Sequence, residues 1–176
     1  FGDKVTARAL AQSCGIPVVA GSTAALNSSS EAREIAHGIG YPVMLKAAAG
    51  GGGRGMRAVA SDDELADAFE RCQSEAAAAF GDGSIFIEKL VLRPRHIEVQ
   101  ILADTKGQTV HLHERDCSVQ IRNQKVIEIA PAAGLDPTLR QNMHDDAIKL
   151  AKAADYVNAG TVEFLVSPES GDYYFI

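Results

Sequence analysis

Residues Lys46 to Val59 read KAAAGGGGRGMRAV and hold five of the sixteen glycines of the chain. Within them, Gly50-x-Gly52-x-x-Gly55 matches the dinucleotide-binding fingerprint letter by letter. That fingerprint works only when a helix follows the glycines, so that its N-terminus faces pyrophosphate. Here MRAVAS follows, which reads as a strand, and the next helix comes only after it. A P-loop would end in Gly-Lys-Ser/Thr, whereas this lysine comes first. A protein-kinase loop would carry its lysine on the following strand, and the chain has no His-Arg-Asp catalytic loop. What remains is strand, glycines, strand, with Lys46 on the first strand. Backbone N–H groups can approach phosphate oxygens there because no Cβ intervenes. A flexible turn is the plain alternative, but a hairpin needs only about two to five linking residues. The surplus glycine points to a loop that covers a ligand, or to a moving lid.

Outward from this stretch the periodicity predicts an α+β chain. Asp3 caps a helix running to about Cys14, which Gly15-Ile16-Pro17 ends. Ser28-x-x-Glu31 and Ser61-x-x-Glu64 are capping boxes opening two further helices. Leu65, Ala68, Phe69, Cys72 and Ala76 form the apolar stripe of the second. After residue 83 the period becomes two. SIFIEKL, HIEVQILAD and TVHLHERD alternate, with Asp104 to Gly107 as a hairpin turn. VIEIA follows as a strand. Asp136-Pro137 opens a helix to about Ala154, and GTVEFLVS and DYYFI close a last hairpin around Pro168 to Gly171. The second half is therefore mostly antiparallel sheet.

The 176 residues carry a net charge of −6 with no basic run. Nucleic acid as the main partner is not expected, and no stretch approaches the roughly 20 apolar residues of a membrane span. Cys14, Cys72 and Cys117 form no metal spacing and no disulfide framework, which suits a reducing compartment. The ends, FGDKVTARAL and DYYFI, read as cut from something longer.

Two polar strand faces are candidates to meet the glycine loop. In HIEVQIL, His96, Glu98 and Gln100 share one face while Ile97, Val99 and Ile101 share the other. In GTVEFLV, Thr161, Glu163 and Leu165 point one way. An acid beside an apolar residue can hold a metal and support a flat ring; a solvated sheet face is the alternative. HERDCSVQIRNQKVIE packs Glu114, Arg115, Asp116, Arg122 and Lys125 together, a density usual for a solvated loop, yet it lies between two strands whose alternating apolar residues belong to a core. Lys4, in the first turn of its helix, opposes the helix dipole, and a bound anion would resolve that conflict.

GDKVTAR, KAAAGGGGRGMR, FIEK, PRHIEVQIL, ERDCSVQ, QKVIE, APA and AGTVEFLV occur in an order that resembles the biotin carboxylases of the ATP-grasp superfamily, over essentially the whole chain. AFGDGSIFIEK and EIAPAAGLDP resemble the branch found in pyruvate carboxylases more than the acetyl-CoA or propionyl-CoA branches. The resemblance implies an ATP-grasp fold. Residues 1–19 would be an entry helix and connection, residues 20–88 the lid subdomain, and residues 89–176 part of the larger antiparallel-sheet subdomain, truncated at its C-terminus. The implied reaction joins bicarbonate to biotin with ATP, through carboxyphosphate. Lys4 and Lys46 would hold nucleotide phosphates, and Gly50, Gly51, Gly52, Gly53 and Gly55 would cover them. Glu88 and Lys89 would sit at the adenine, His96 and Gln120 near the ribose and phosphates, and Leu165 on the base. Glu163 would bind Mg²⁺, or Mn²⁺ in its place, since a hard cation prefers carboxylate and phosphate oxygens. Lys125 would be the catalytic residue that helps hold bicarbonate.

The partners implied are ATP, bicarbonate, biotin on a carrier domain and the rest of an oligomeric parent carboxylase, in the cytoplasm or mitochondrial matrix. Ile121 stands where the family usually has arginine, and Asn123 where many members have histidine. The second metal-binding glutamate, the residues that handle bicarbonate and biotin, the N-terminal subdomain and the biotin-attachment site lie outside the chain, so the fragment alone is expected to be inactive. Another ATP-grasp ligase, such as the carbamoyl-phosphate type, or a nucleotide-binding module without chemistry, stays open as an alternative.

Overall fold

The computed structural model describes residues 4–49 and 55–176, and for Lys4 and Val5 only the backbone. Gly50, Gly51, Gly52 and Gly53 of the glycine stretch, and the side chain of Lys4, therefore lie outside the described residues. The chain divides into two units, Phe1–Ala7 with Val19–Leu90, and Arg8–Val18 with Val91–Ile176. Helix α1 (Lys4–Ser13) contributes to both.

The first unit holds helices α2 (Ser29–Ile39) and α3 (Asp62–Phe80) and strands β1 (Val43–Ala47), β2 (Met56–Val59) and β3 (Ile85–Lys89). The strands form an antiparallel sheet in the order β2-β1-β3. Alternation along them sends Val43, Leu45, Val59, Ile85 and Ile87 into one core with Ala32, Ala36, Leu65, Phe69, Cys72 and Ala76 of the helices. The expected stripe of α3 is thus its buried face, with Ala68 at the edge.

The two capping boxes differ. Ser28 Oγ accepts from Glu31 N at 3.3 Å, and Glu31 reaches back one residue further than expected, to Asn27 N at 2.8 Å. Ser61 makes no side-chain cap bond, and Glu64 likewise reaches one residue further back, accepting from Ala60 N at 3.1 Å. Glycine is required at two places. Gly55 has φ +64°, its carbonyl accepts from Ala47 N at 2.8 Å, and a Cβ there would lie 2.9 Å from that of Ala47. At Gly21 a Cβ would lie 2.2 Å from the Ile87 carbonyl oxygen.

The second unit is a five-stranded antiparallel sheet, β6-β5-β4-β7-β8, with helix α4 (Pro137–Ala153) packed against β4 and β5. Its strands are β4 (Arg95–Ala103), β5 (Thr109–Ile121), β6 (Gln124–Ile129), β7 (Asn158–Val166) and β8 (Tyr173–Phe175). Asp136 caps α4 through Thr138 N at 2.9 Å and Leu139 N at 3.0 Å, with Pro137 at the first helical position, as the sequence predicts. The charge-dense stretch is not a solvated loop. β5 runs unbroken to Ile121, turns through Arg122 and Asn123, both at positive φ, and returns as β6. Arg115, Asp116 and Lys125 face partners on other strands of the sheet, and that pairing supports extended structure despite the composition. Among the described residues no helix is long and apolar enough to cross a membrane.

Candidate functional site

Antiparallel register builds the polar face of the second unit. Glu98 of β4 lies opposite Glu163 of β7 on one side and Arg115 of β5 on the other. His96 lies opposite Leu165, and Lys125 of β6 opposite Gln120 of β5. Residues two apart on one strand share a face, so His96, Glu98, Gln100, Glu163 and Leu165 present together. The other face carries Ile97, Val99, Ile101, Val162, Phe164 and Val166, all buried.

Lys125 is the junction. Its ammonium donates to Glu163 Oε1 at 2.6 Å and to Glu98 Oε2. Arg115 donates to Glu98 Oε1 at 2.6 Å through Nε, and to Gln100 Oε1 at 3.0 Å. Glu98 is only 3% exposed, so this face is not the solvated surface that alternation alone would allow. Arg115 also faces Glu128 Oε2 at 3.5 Å, so three carboxylates surround the two cations and each buried charge is paired, as burial requires. Burial opposes the charge on Lys125, but the hydrogen bonds to Glu163 and Glu98 outweigh it and raise its pKa. The His96 imidazole, and then the Lys125 ammonium, hold the Glu163 carboxyl down at about 2 against the penalty of burial.

Gln120 ties the outer edge. Its amide lies 2.8 Å from His96 Nδ1 and donates to Cys117 O at 2.7 Å. His96 Nε2 then faces Glu163 Oε2 at 3.4 Å and is a buried nitrogen without a hydrogen-bond partner. A buried polar atom left without a partner is costly unless something else reaches it.

The first unit brings together two other residues singled out in the sequence. Lys46 forms an ion pair with Glu88 across β1 and β3, with the Lys46 side chain 12% and the Glu88 side chain 7% exposed. Lys89 turns to the end of α2 instead, donating to Gly40 O at 3.1 Å and Tyr41 O at 2.8 Å. Its backbone N–H is engaged as well, donating to Ala20 O at 2.7 Å. Ile121 is 65% exposed beside the β5–β6 turn.

Sequence reasoning placed Glu98 on a candidate face and Arg115 in the charge-dense stretch but gave neither a role in the site. Glu98 was visible as the residue between His96 and Gln100, but a strand face does not disclose whether it is dry. Arg115 lay in the stretch whose charge suggested a loop.

Comparison with known proteins settles the affiliation. The family model described as "Carbamoyl-phosphate synthase L chain, ATP binding domain" matches residues 3–176. The chain belongs to that family. It is similar to pyruvate carboxylase of Schizosaccharomyces pombe, 56% identical over 176 residues, and to the human mitochondrial pyruvate carboxylase, 57% identical. Each match covers 100% of this chain and 15% of the relative.

Among solved structures, a biotin carboxylase–βγ-ATP complex from Campylobacter jejuni superposes with a TM-score of 0.96 at 51% identity, covering 99% of this chain and 39% of that one. The biotin carboxylase domain dimer of Hydrogenobacter thermophilus 2-oxoglutarate carboxylase, in complex with MgADP, ADP and bicarbonate, gives 0.95 at 46% identity, covering 99% and 38%. The fold is the α+β ATP-grasp arrangement of these biotin carboxylases, as the resemblance in the sequence implied.

Proposed function

We propose that this chain is the ATP-binding part of a biotin-dependent carboxylase, of the pyruvate carboxylase type. The step is ATP plus bicarbonate plus biotin giving carboxybiotin, ADP and phosphate. The observation that carries the reading is the Lys125 junction: one ammonium held by Glu98 and Glu163, beside a buried histidine nitrogen that has no hydrogen-bond partner. The similarity to pyruvate carboxylases over the whole chain supports it.

A divalent cation fits this face. Glu163 stays ionised far below neutral pH, and its Oε2 makes only the long approach to His96. Carboxylate oxygen is what Mg²⁺ and Mn²⁺ select, completed by substrate phosphates. Glu163 would hold the ion, which when bound would neutralise phosphate charge. The rest is done by the chain. Lys125, charged at every physiological pH, would hold the bicarbonate anion. Glu98 and Arg115 fix its position, so the cation is pre-oriented before substrate arrives. His96 Nε2 would meet a nucleotide oxygen, with Gln120 setting its tautomer. On the first unit, Lys46 would serve nucleotide phosphates with Glu88 as its resting partner, and the glycine stretch would cover them. Residues 20–88 would act as the lid, with Leu165 of the larger subdomain packing on the base. Biotin on a carrier domain would be the acceptor, in an oligomeric parent of the cytoplasm or mitochondrial matrix.

The test is phosphate release from ATP by the protein carrying this chain, with bicarbonate and free biotin. Release should depend on both, and Glu163→Gln should cut it most at limiting Mg²⁺. Release indifferent to biotin would exclude a carboxylase. Unchanged turnover of Glu163→Gln at low Mg²⁺ would exclude the metal role.

A further inference from the structure

Where α4 packs on β5, within a few residues of Arg115, three of the five histidines of the chain converge. His111 and His113 come from β5, and His144 from α4. Each offers a ring nitrogen, and the three nitrogens lie within 4.8 Å of one another. The rings of His111 and His144 stack at 4.1 Å, and His113 approaches the pair edge-on at 5.2 and 5.6 Å.

The backbone is arranged to bring them there. Across β4 and β5, Val99 faces Glu114 while Ile101 faces His111, so the register slips and Leu112 and His113 share the space opposite Gln100. That is a β-bulge, a device that re-aims a side chain. His113 sits at its centre with φ +64°, a left-handed conformation that costs any residue with a side chain because Cβ crowds the carbonyl. The slip breaks the strand alternation. His113 and Glu114, adjacent in sequence, both reach His144.

The surroundings are those of a metal-ligating histidine. Buried His144 places Nε2 on Glu114 Oε2 at 2.7 Å. The opposite oxygen of Glu114 accepts from Arg140 Nε at 3.0 Å and from Ala132 N at 3.1 Å. A carboxylate that is itself anchored fixes both ring orientation and tautomer, and leaves Nδ1 of His144 as the free ligand atom. His111 Nδ1 accepts from His113 N at 3.3 Å, which leaves its Nε2.

We propose that His111, His113 and His144 form a binding site for a borderline divalent transition metal of the zinc class, which clamps α4 onto β5. Three imidazoles with one open position suit Zn²⁺, Co²⁺ or Ni²⁺ rather than Mg²⁺, which selects oxygen ligands. Coordination at about 2.0–2.1 Å draws the three nitrogens closer than they stand. The exposed ring of His113 supplies part of that movement, and the His111 ring must turn out of its stack on His144, because an imidazole lone pair lies in the ring plane.

The experiment uses the protein without an affinity tag and two probes, Zn²⁺ and Co²⁺, with Mg²⁺ as control. Zn²⁺ titrated calorimetrically should bind one equivalent and raise the thermal midpoint. Co²⁺ should give visible d–d bands without the near-ultraviolet charge-transfer band of a thiolate. His113→Ala, at an exposed position, should weaken Zn²⁺ binding by more than about tenfold, a loss that displacement of even an outer partner can cause. Glu163→Gln should leave Zn²⁺ affinity unchanged, which separates this site from the one proposed for Mg²⁺. A thiolate band, saturable binding untouched by His113→Ala, or no binding at all would each overturn the proposal.

Discussion

Replacing Glu98 by glutamine tests the charge cluster on which the proposed chemistry rests. The Glu98 side chain is 4% exposed and those of its two cations, Arg115 and Lys125, 27% each. Glutamine keeps the volume and one acceptor oxygen but balances neither charge. Removing one partner of a buried ion pair costs about 3–5 kcal/mol, because the other is left uncompensated. Here both cations keep part of their hydration, and Lys125 keeps Glu163, so the low end, about 3 kcal/mol, is expected. For a chain of 176 residues that corresponds to a fall in Tm of roughly 6–12 °C. Urea unfolding at pH 7, followed by circular dichroism, should show a lower midpoint at unchanged slope. Coupling to Lys125→Met in a double-mutant cycle should exceed about 0.5 kcal/mol. A loss below about 0.5 kcal/mol would put these contacts in the class of surface ion pairs, and the argument for a pre-oriented Lys125 would fail.

The depressed pKa of Glu163 fixes the direction of one pH dependence. Its ordinary value is 4.5 and its folded value about 2, so its stabilisation is complete above pH 4.5 and is lost as pH falls toward 2. Discounted for its one-third exposure, that is about 1–2 kcal/mol, and acid titration of Glu163→Gln should show a correspondingly shallower loss. Gly21→Ala would place a Cβ 2.2 Å from Ile87 O and 2.7 Å from Glu88 Cα; backbone cannot yield cheaply, so a loss of about 2 kcal/mol in urea unfolding is expected. Gly38→Ala, in α2 with nothing within 4 Å, should instead stabilise by about 0.5–1 kcal/mol.

Local signals were legible where a residue acts on its own neighbours. Asp136-Pro137 starts α4 because a cap and a fixed φ need nothing beyond the next turn. Ile97, Val99 and Ile101 are buried because a strand alternates. Lys46 lies on β1 and MRAV forms β2, as a strand on each side of the glycines predicts. Motif order carried the family, and with it the ATP-grasp fold.

What the tertiary structure alone decided is which residues meet. Glu98 lies opposite Glu163 across 65 positions of chain and opposite Arg115 across the other edge. Only that register turns a strand carboxylate into the buried partner of two cations. The stretch from Glu114 to Glu128 has the composition of a loop, and it is a hairpin in which Arg115, Asp116 and Lys125 find partners on β4 and β7 while Glu114 finds His144 and Arg140 of α4. The three histidines are brought together by a single extra residue in β5 and by the seat of α4. Periodicity reports which face a side chain takes within its own element, whereas register, bulges and helix packing are set by contacts between elements far apart in sequence.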